Sequence, residues 1–468
     1  MDYTGKEINE LYNQIPRSVY VNNESYYVGH NTKIMEQNRK RSPDNRIPVA
    51  FANRLIKNLT GYAGREGDIT TKWKTDGSDQ SFKTAYEKIE DESMLNLLNS
   101  RLYKTVLKHG RAYDIVWTES NNDQLKIRCA DIPVVQGLPI WQDELSVVKK
   151  LHSFVRYYDI DHKKEEVIQG KTIIFEPGKY AQVFYPGRYQ VWFLTPKDER
   201  QNSSGDKTKI LYEQQQPFDD IQVNTYFGND EKIPYWWPVK NLIDQFDKVM
   251  SGNMNEVDRF NDTWLMFMHK IDSETKRAID QMGIIDNLKS AVDDLTKDVW
   301  PKFLERNIPV DHTKMMFDKL EELIYTIIGV PSFLDETFGT ASGVSLLFRL
   351  IGLEYAAIET DTYYDIGLHN RNQLIKQGLK GAVMYEGERV TDASIDSYTD
   401  VIEHKRNIPM DKTSLIQDAV NLRMAGVSMK AVLEYLPKEI IQDVEEELME
   451  IEKQGPQTPP INLEDDAI

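Results

Sequence analysis

Residues 242–267 read Leu-Ile-Asp-Gln-Phe-Asp-Lys-Val-Met-Ser-Gly-Asn-Met-Asn-Glu-Val-Asp-Arg-Phe-Asn-Asp-Thr-Trp-Leu-Met-Phe. Leu242, Phe246, Val249, Met250, Val257, Phe260, Trp264 and Phe267 return at three- and four-residue steps, the period of a helix with one apolar face. The spacing predicts a helix of about thirty residues, or about 45 Å at 1.5 Å per residue. Its opposite face, with Asp244, Lys248, Asp258 and Asp262, is expected to look towards open space. A short, charged, α-rich insert follows from Ile271 to Pro309. A second amphipathic helix carries Met316, Leu320, Leu323 and Ile327 on one face and stops at Gly329-Val330-Pro331, where a C-cap glycine is followed by proline. Ser332 to Gly343 is polar and small. The next helix, from Val344 to about Gln377, starts apolar nearly all round, which predicts that it is buried. Long paired helices with a small insert at their tip expose lengthwise apolar faces that one partner cannot cover, whereas a closed ring of copies can.

Outward from these helices the pattern changes. Tyr26 to His30, a basic stretch with Lys33, Arg39, Lys40 and Arg41, a turn at Pro43 to Pro48 and an apolar run from Val49 to Leu59 open a mostly helical region. A single helix is predicted from Ser81 to Lys108, with Gly110 as its stop. From Ala112 to Trp237, short runs rich in Val, Ile, Tyr and Phe alternate with turn signals such as Glu176-Pro177-Gly178 and Tyr185-Pro186-Gly187. This predicts six to nine antiparallel strands, among them Thr172–Phe175, Tyr180–Phe184, Tyr189–Leu194 and Lys209–Tyr212. Near the C-terminus Ser414–Ala425, Ser428–Leu436 and the acidic Lys438–Lys453 read as helices, and a Pro-rich tail follows, expected to be disordered. The fold class is α+β.

Composition narrows the function. Among 468 residues, 57 Lys+Arg stand against 75 Asp+Glu, a formal charge of -18 that opposes nonspecific adhesion to DNA or anionic lipid. Cys129 is the only cysteine, so neither an intrachain disulfide nor a zinc site of several thiolates can form. The first ten residues have no signal-peptide character. The longest greasy stretch, Val344 to Ile358, is broken by Ser345, Arg349, Gly352 and Glu354 and is shorter than the roughly 20 residues a membrane span needs. No membrane partner is expected.

The motifs that suggest chemistry fail on spacing. Gly170-Lys171-Thr172 has Glu165 where a phosphate loop needs its first glycine. Asp159-Ile160-Asp161 begins like a calcium loop, but Lys164 and Gly170 stand where glycine and glutamate are required. In Gly339-Thr340-Ala341-Ser342-Gly343 the serine comes one place too late for a nucleophile elbow and reads as a helix cap. The eight histidines never sit three or four apart. Neither catalytic residues nor cofactor or metal sites are expected. The alternative from another class is a metal-dependent phosphodiesterase or nuclease built on Asp159, Asp161, Glu165 and Glu166; a filament-forming protein is a third reading.

Four stretches resemble the tailed-bacteriophage portal proteins, the family typified by the portal of a Bacillus siphophage. They are Tyr26-Tyr27-x-Gly-His30 with Pro43-Asp44-Asn45-Arg46; Leu242 to Ser251 with Glu256, Phe260 and Leu265; Gly329-Val330-Pro331 through Asp335-Glu336-x-Phe338-Gly339 to Ser342-Gly343-Val344-x-Leu346 and Gly352-Leu353-Glu354; and Gly426-Val427-Ser428 through Leu433-x-x-Leu436-Pro437 to Asp443-Val444-x-x-Glu447. The resemblance implies a portal fold: a mixed α/β wing (1–239), stem helices (240–270 and 312–330), a small clip (271–311), a tunnel loop (331–343), a long kinked helix returning to the wing (344–410), an α-helical crown (411–453) and a disordered tail (454–468). It implies a twelve-membered homo-oligomeric ring at one capsid vertex of the virion, assembled in the host cytoplasm, through which double-stranded DNA is packaged and ejected. Its partners would be the terminase large subunit, the major capsid and scaffolding proteins and a head-tail adaptor. On this chain Asp335, Glu336, Thr337, Phe338, Gly339, Thr340, Ala341 and Ser342 would line the DNA channel. Phe246, Val249, Val257, Phe260 and Trp264 would pack the stem, and Lys297 and Lys302 would dock the motor. An acidic wall would let the duplex slide past without sticking.

Overall fold

The computed structural model describes residues 2–36, 43–121, 124–142, 150–168, 171–196, 208–261, 265–266, 302–303, 310–331, 343–380, 384–385, 387, 389–408, 412–436, 441 and 444–454. The chain is mixed α+β, as expected. It opens with α1 (Gly5–Tyr12), α2 (Arg17–Tyr27), α3 (Thr32–Met35) and α4 (Phe51–Ala63), then β1 (Ile69–Thr75), α5 (Ser81–Ser93) and α6 (Leu95–His109). Ten strands follow: β2 (Arg111–Asn121), β3 (Gln124–Ile132), β4 (Gly137–Trp141), β5 (Leu151–Ile160), β6 (Lys164–Ile168), β7 (Lys171–Phe175), β8 (Gly178–Tyr185), β9 (Arg188–Pro196), β10 (Lys209–Gln215) and β11 (Val223–Phe227). Then come α7 (Lys240–Asn261), β12 (Leu265–Met266), β13 (Lys302–Phe303), α8 (Val310–Ile328), α9 (Gly343–Lys380), α10 (Asp392–Ser397), β14 (Tyr398–His404), α11 (Lys412–Met424), α12 (Met429–Tyr435) and α13 (Val444–Gln454).

Two compact units divide the chain, 1–333 with 350–406 and 334–349 with 407–468. In the larger, β10-β9-β8-β5-β4 form one antiparallel sheet and β11-β2-β3 another, while β1 pairs with β14. Alternating inward residues of these strands build a core in which Ile8 of α1, Ile15 of the bend after it and Tyr20 of α2 meet Tyr113, Phe154, Val183 and Phe184. Burying each such side chain is worth roughly 1.5 to 3 kcal/mol. In the smaller unit, Ser428 caps α12 by accepting the Ala431 N–H (3.3 Å), and Ala419, Val432 and Leu433 are buried.

Four expectations are corrected. Strands exceed the expected upper bound of nine by one. The predicted helix Ser81–Lys108 is two, because Met94 adopts a left-handed φ of 50°. That costs about 1 to 2 kcal/mol, offset by letting α5 pack on β3 while α6 packs on β2. The helix predicted to run from 240 to about 270 ends at Asn261 among the described residues, and Leu265–Met266 pair antiparallel with Lys302–Phe303. The apolar run Trp264-Leu265-Met266-Phe267 suits a strand as well as a helix, and periodicity cannot separate the two over so short a stretch. Finally, the early part of α9 is not buried all round: Leu350, Leu353 and Ala357 are buried, whereas Ile351, Tyr355 and Ile358 are exposed on the single chain.

Close backbone approach places the long helices. The turn after α8 uses Gly329 at φ 73°, and a Cβ on Gly352 would stand 2.1 Å from the Gly329 carbonyl oxygen. Along α9, a Cβ on Gly367 would lie 2.3 Å from the Tyr226 ring, so only glycine lets the helix lie on β11. Beside it Arg371, 0% exposed, points into the core and meets Asp114, also 0% exposed, at 3.3 Å. Asn224 and Tyr226 each donate to the same carboxylate at 2.8 Å. Arg371 also donates to Asn99 of α6. Leaving one member of a buried ion pair unpartnered costs about 3 to 5 kcal/mol. Arg371→Met is therefore expected to lower unfolding stability by about that amount, and adding Asp114→Asn to recover part of it, measured by urea denaturation.

Candidate functional site

The face of α7 carrying Asp244, Asp247, Ser251, Asn255 and Asp258 is a polar stripe at steps of three and four residues. A strap, residues 43–50, lies along it. Val49 N–H donates to Asp247 Oδ1 (2.8 Å), Ile47 N–H to Ser251 Oγ (3.0 Å) and Asn45 N–H to Asn255 Oδ1 (2.6 Å). The Asn45 amide adds a bond to Asp258 Oδ2 (2.5 Å). Every second strap residue bonds to every fourth helix residue, because two residues of extended chain and four of helix both advance about 6 Å. Pro48, which has no N–H to place, occupies a skipped position.

Nearer the start of α7, Tyr26 donates to Asp244 Oδ1 (2.5 Å), and Asn31 bridges Asp244 and Asp247 at 3.1 and 2.8 Å. Lys240 reaches Asp244 at 3.1 Å. Burial works to raise the Asp244 carboxyl, but the bonds from Tyr26 and Lys240 outweigh it and hold the group below the usual carboxylate range. Among the described residues no cation lies within ion-pair distance of Asp247, and burial pushes it up to about 6 despite Asn31 and the Val49 N–H.

A second latch runs along α9. Glu354, Asp361, Asp365, His369, Asn372 and Lys376 share one helix face, and the segment 398–406 returns antiparallel over them. Arg406 donates to Glu354 (2.9 Å) and Asp361 (2.6 Å), and His404 Nε2 lies 2.8 Å from Asp365. Asp400 takes His369 Nδ1 at 2.6 Å and Asn372 Nδ2 at 3.0 Å.

These bonds correct the expected open face of α7: Asp244 is 4% exposed and Asp258 is half-buried under the strap, while Lys248 is exposed and Asp262 lies outside the described residues. The polar stripe was present in the sequence; nothing local said that an extended strap covers it. Of the residues expected to pack the stem, Phe246 is buried against the rings of Phe51 (4.9 Å) and Phe317 (5.2 Å). Val249 is half-buried and Val257 exposed. Phe260 lies in α7, its side chain outside what is described, as is that of Lys302 in β13. Trp264, Lys297 and the loop residues Asp335 to Ser342 lie outside the described residues.

The carboxylates of the nuclease alternative do not converge. Glu165 and Glu166 are neighbours on β6, pointing to opposite faces, and pair with Lys163 and Lys164. Among the described residues no three His, Cys, Asp or Glu side chains are grouped to hold a metal ion.

A family model described as phage portal protein, SPP1 Gp6-like, matches residues 6–459. The chain belongs to the phage portal protein family. No curated protein matches it. The portal protein family is structural, not catalytic, and its members are ring-forming components of the capsid vertex. No described helix of this portal protein is long and apolar enough to cross a membrane.

The strap joint titrates. In the unfolded chain Asp247 has an ordinary carboxylate pKa, and in the folded portal protein it is raised to about 6. Its contribution favours folding most below about pH 4 and is lost as pH rises through about 6. Asp247→Asn keeps an acceptor for the Val49 N–H but cannot ionise. The variant is expected to show a flatter fall in stability between pH 4 and 7 than the wild type, read from urea midpoints at each pH.

Proposed function

We propose that twelve copies of this portal protein close into a ring at one capsid vertex, that double-stranded DNA is packaged and ejected through the axial channel, and that terminase and a head-tail adaptor dock on its outer end. The observation that carries the reading is the apolar surface left open along the long helices of one chain. Met254 and Val257 on α7, Met315, Met316 and Ile327 on α8, and Ile351, Tyr355 and Ile358 on α9 are all exposed, Tyr355 by 66%. So many large apolar groups on long helices favour cover by a neighbouring copy.

In this reading residues 1–239 form the wing, 240–270 and 312–330 the stem, 271–311 the clip, 331–343 the tunnel loop, 344–410 the long helix and its return, 411–453 the crown and 454–468 the tail. Phe246, Val249, Val257, Phe260 and Trp264 serve stem packing, Asp335 to Ser342 face the DNA, and Lys297 and Lys302 contact the motor. The net charge of -18 per chain supports a channel wall that repels phosphate.

Two experiments test it. Tyr355→Ser with Ile358→Ser is expected to shift rings towards single chains on dilution, seen by sedimentation, while the thermal unfolding of the separated chain stays within a few degrees. Rings that persist undiluted and diluted alike would refute this use of the surface. Deleting Phe338 to Ala341 is expected to leave rings intact but to lower the DNA packaged per assembled head; normal packaging would remove the loop from the channel.

A further inference from the structure

In the larger unit, a crevice of about 270 Å³ opens between the end of α1, the start of α2 and one end of the paired strands β5 and β8. Tyrosines wall it, and two cations enter it. The Arg17 guanidinium sits 3.8 Å from the Tyr12 ring centroid and donates through Nη1 to the Tyr12 carbonyl at 2.6 Å. Lys179 approaches the same ring from β8, its Nζ 4.8 Å from the centroid and 3.1 Å from the Tyr12 hydroxyl. A third cation stands just behind: Arg156 lies over Tyr158 at 5.0 Å and holds Gln136, which lines the crevice, at 3.1 Å.

What these three cations have in common is a place at one crevice wall and, among the described residues, no ion-pair partner there. Arg188, Arg65, Arg406, Lys126 and Arg128 all have carboxylates within ion-pair distance. Among the described residues, Arg17, Arg156 and Lys179 form no such pair; Asp159, which also lines the crevice, faces Lys179 across the β5–β8 ladder. The aromatic contacts hold the two heads in place, so little side-chain freedom remains to be lost on binding. One bond to the Tyr12 carbonyl uses one of the five guanidinium N–H donors of Arg17, which leaves its fork able to meet an oxyanion.

We infer that this crevice binds a carboxylate side chain of an acidic, partly apolar peptide segment of a partner protein. A carboxylate fits between a fixed guanidinium and an ammonium, and the tyrosine walls take the aliphatic neighbours of such a residue. A duplex suits it less, because its phosphates sit on a broad convex backbone that cannot enter a crevice of about 270 Å³.

The probe is a fluorescein-labelled peptide of alternating glutamate and leucine, titrated with the full chain and followed by anisotropy. Arg17→Gln with Lys179→Gln is expected to weaken binding by about tenfold or more, the scale of a lost charge-assisted contact. Lys72→Gln with Lys83→Gln removes the same charge from exposed positions elsewhere and is expected to leave affinity within about twofold. Lys179→Gln alone, at an exposed strand position, is expected to show part of the loss even if the Arg17 change disturbs α2. The inference is overturned if the crevice variants bind as wild type, if the distant pair weakens binding equally, if the peptide with glutamine for glutamate binds as tightly, or if a short DNA duplex displaces the peptide from the crevice.

Discussion

A buried backbone amide must find an acceptor, and that requirement shapes the joint on which the long helices hang. Residues 45–49 cross α7 as an extended chain with no neighbouring strand to take their N–H groups. The helix supplies the acceptors itself, from Asp247, Ser251 and Asn255, and the match in rise between two strap residues and one helical turn keeps all three bonds in register. An apolar stripe there would leave three amides unsatisfied, at about 1 to 3 kcal/mol each. The polar face of α7 is therefore part of the interior, and Phe246, on the adjoining face, can meet Phe51 only because the strap delivers α4 to that point.

The long helix α9 is held on two sides by different physics. Inside, Gly367 and Arg371 bring it onto the sheet, one by having no side chain and the other by an ion pair with Asp114 that hydrogen bonds to Asn224, Tyr226 and Asn99 support. Outside, the returning segment 398–406 lays Asp400 against His369 and Asn372, and Arg406 against Glu354 and Asp361. A helix clamped in this way keeps its position while its exposed apolar groups meet another surface. That is a mechanical property a ring-forming component needs where neighbouring copies must stay in register.

How much was legible follows from the range of the interactions. Local signals determined the helix stop at Gly329-Val330-Pro331, the turn at Pro177-Gly178 between β7 and β8, the β8–β9 hairpin at Pro186-Gly187, the start of α12 after Ser428 and the α+β class, because capping, turn geometry and side-chain alternation act within a few residues. The order of those signals along the chain also carried the family. What only the tertiary structure decided depends on residues far apart in sequence. Asp244 looked solvent-facing by periodicity and is buried because Tyr26 and Asn31 reach it across more than two hundred positions. Met94 broke a helix whose period ran on unbroken, because two different strands claimed its halves. Arg371 is in sequence only one polar residue on a long helix, and in the fold it is a charge buried in the larger unit, since a buried ion is tolerated only where distant partners surround it, and no local pattern records their arrival.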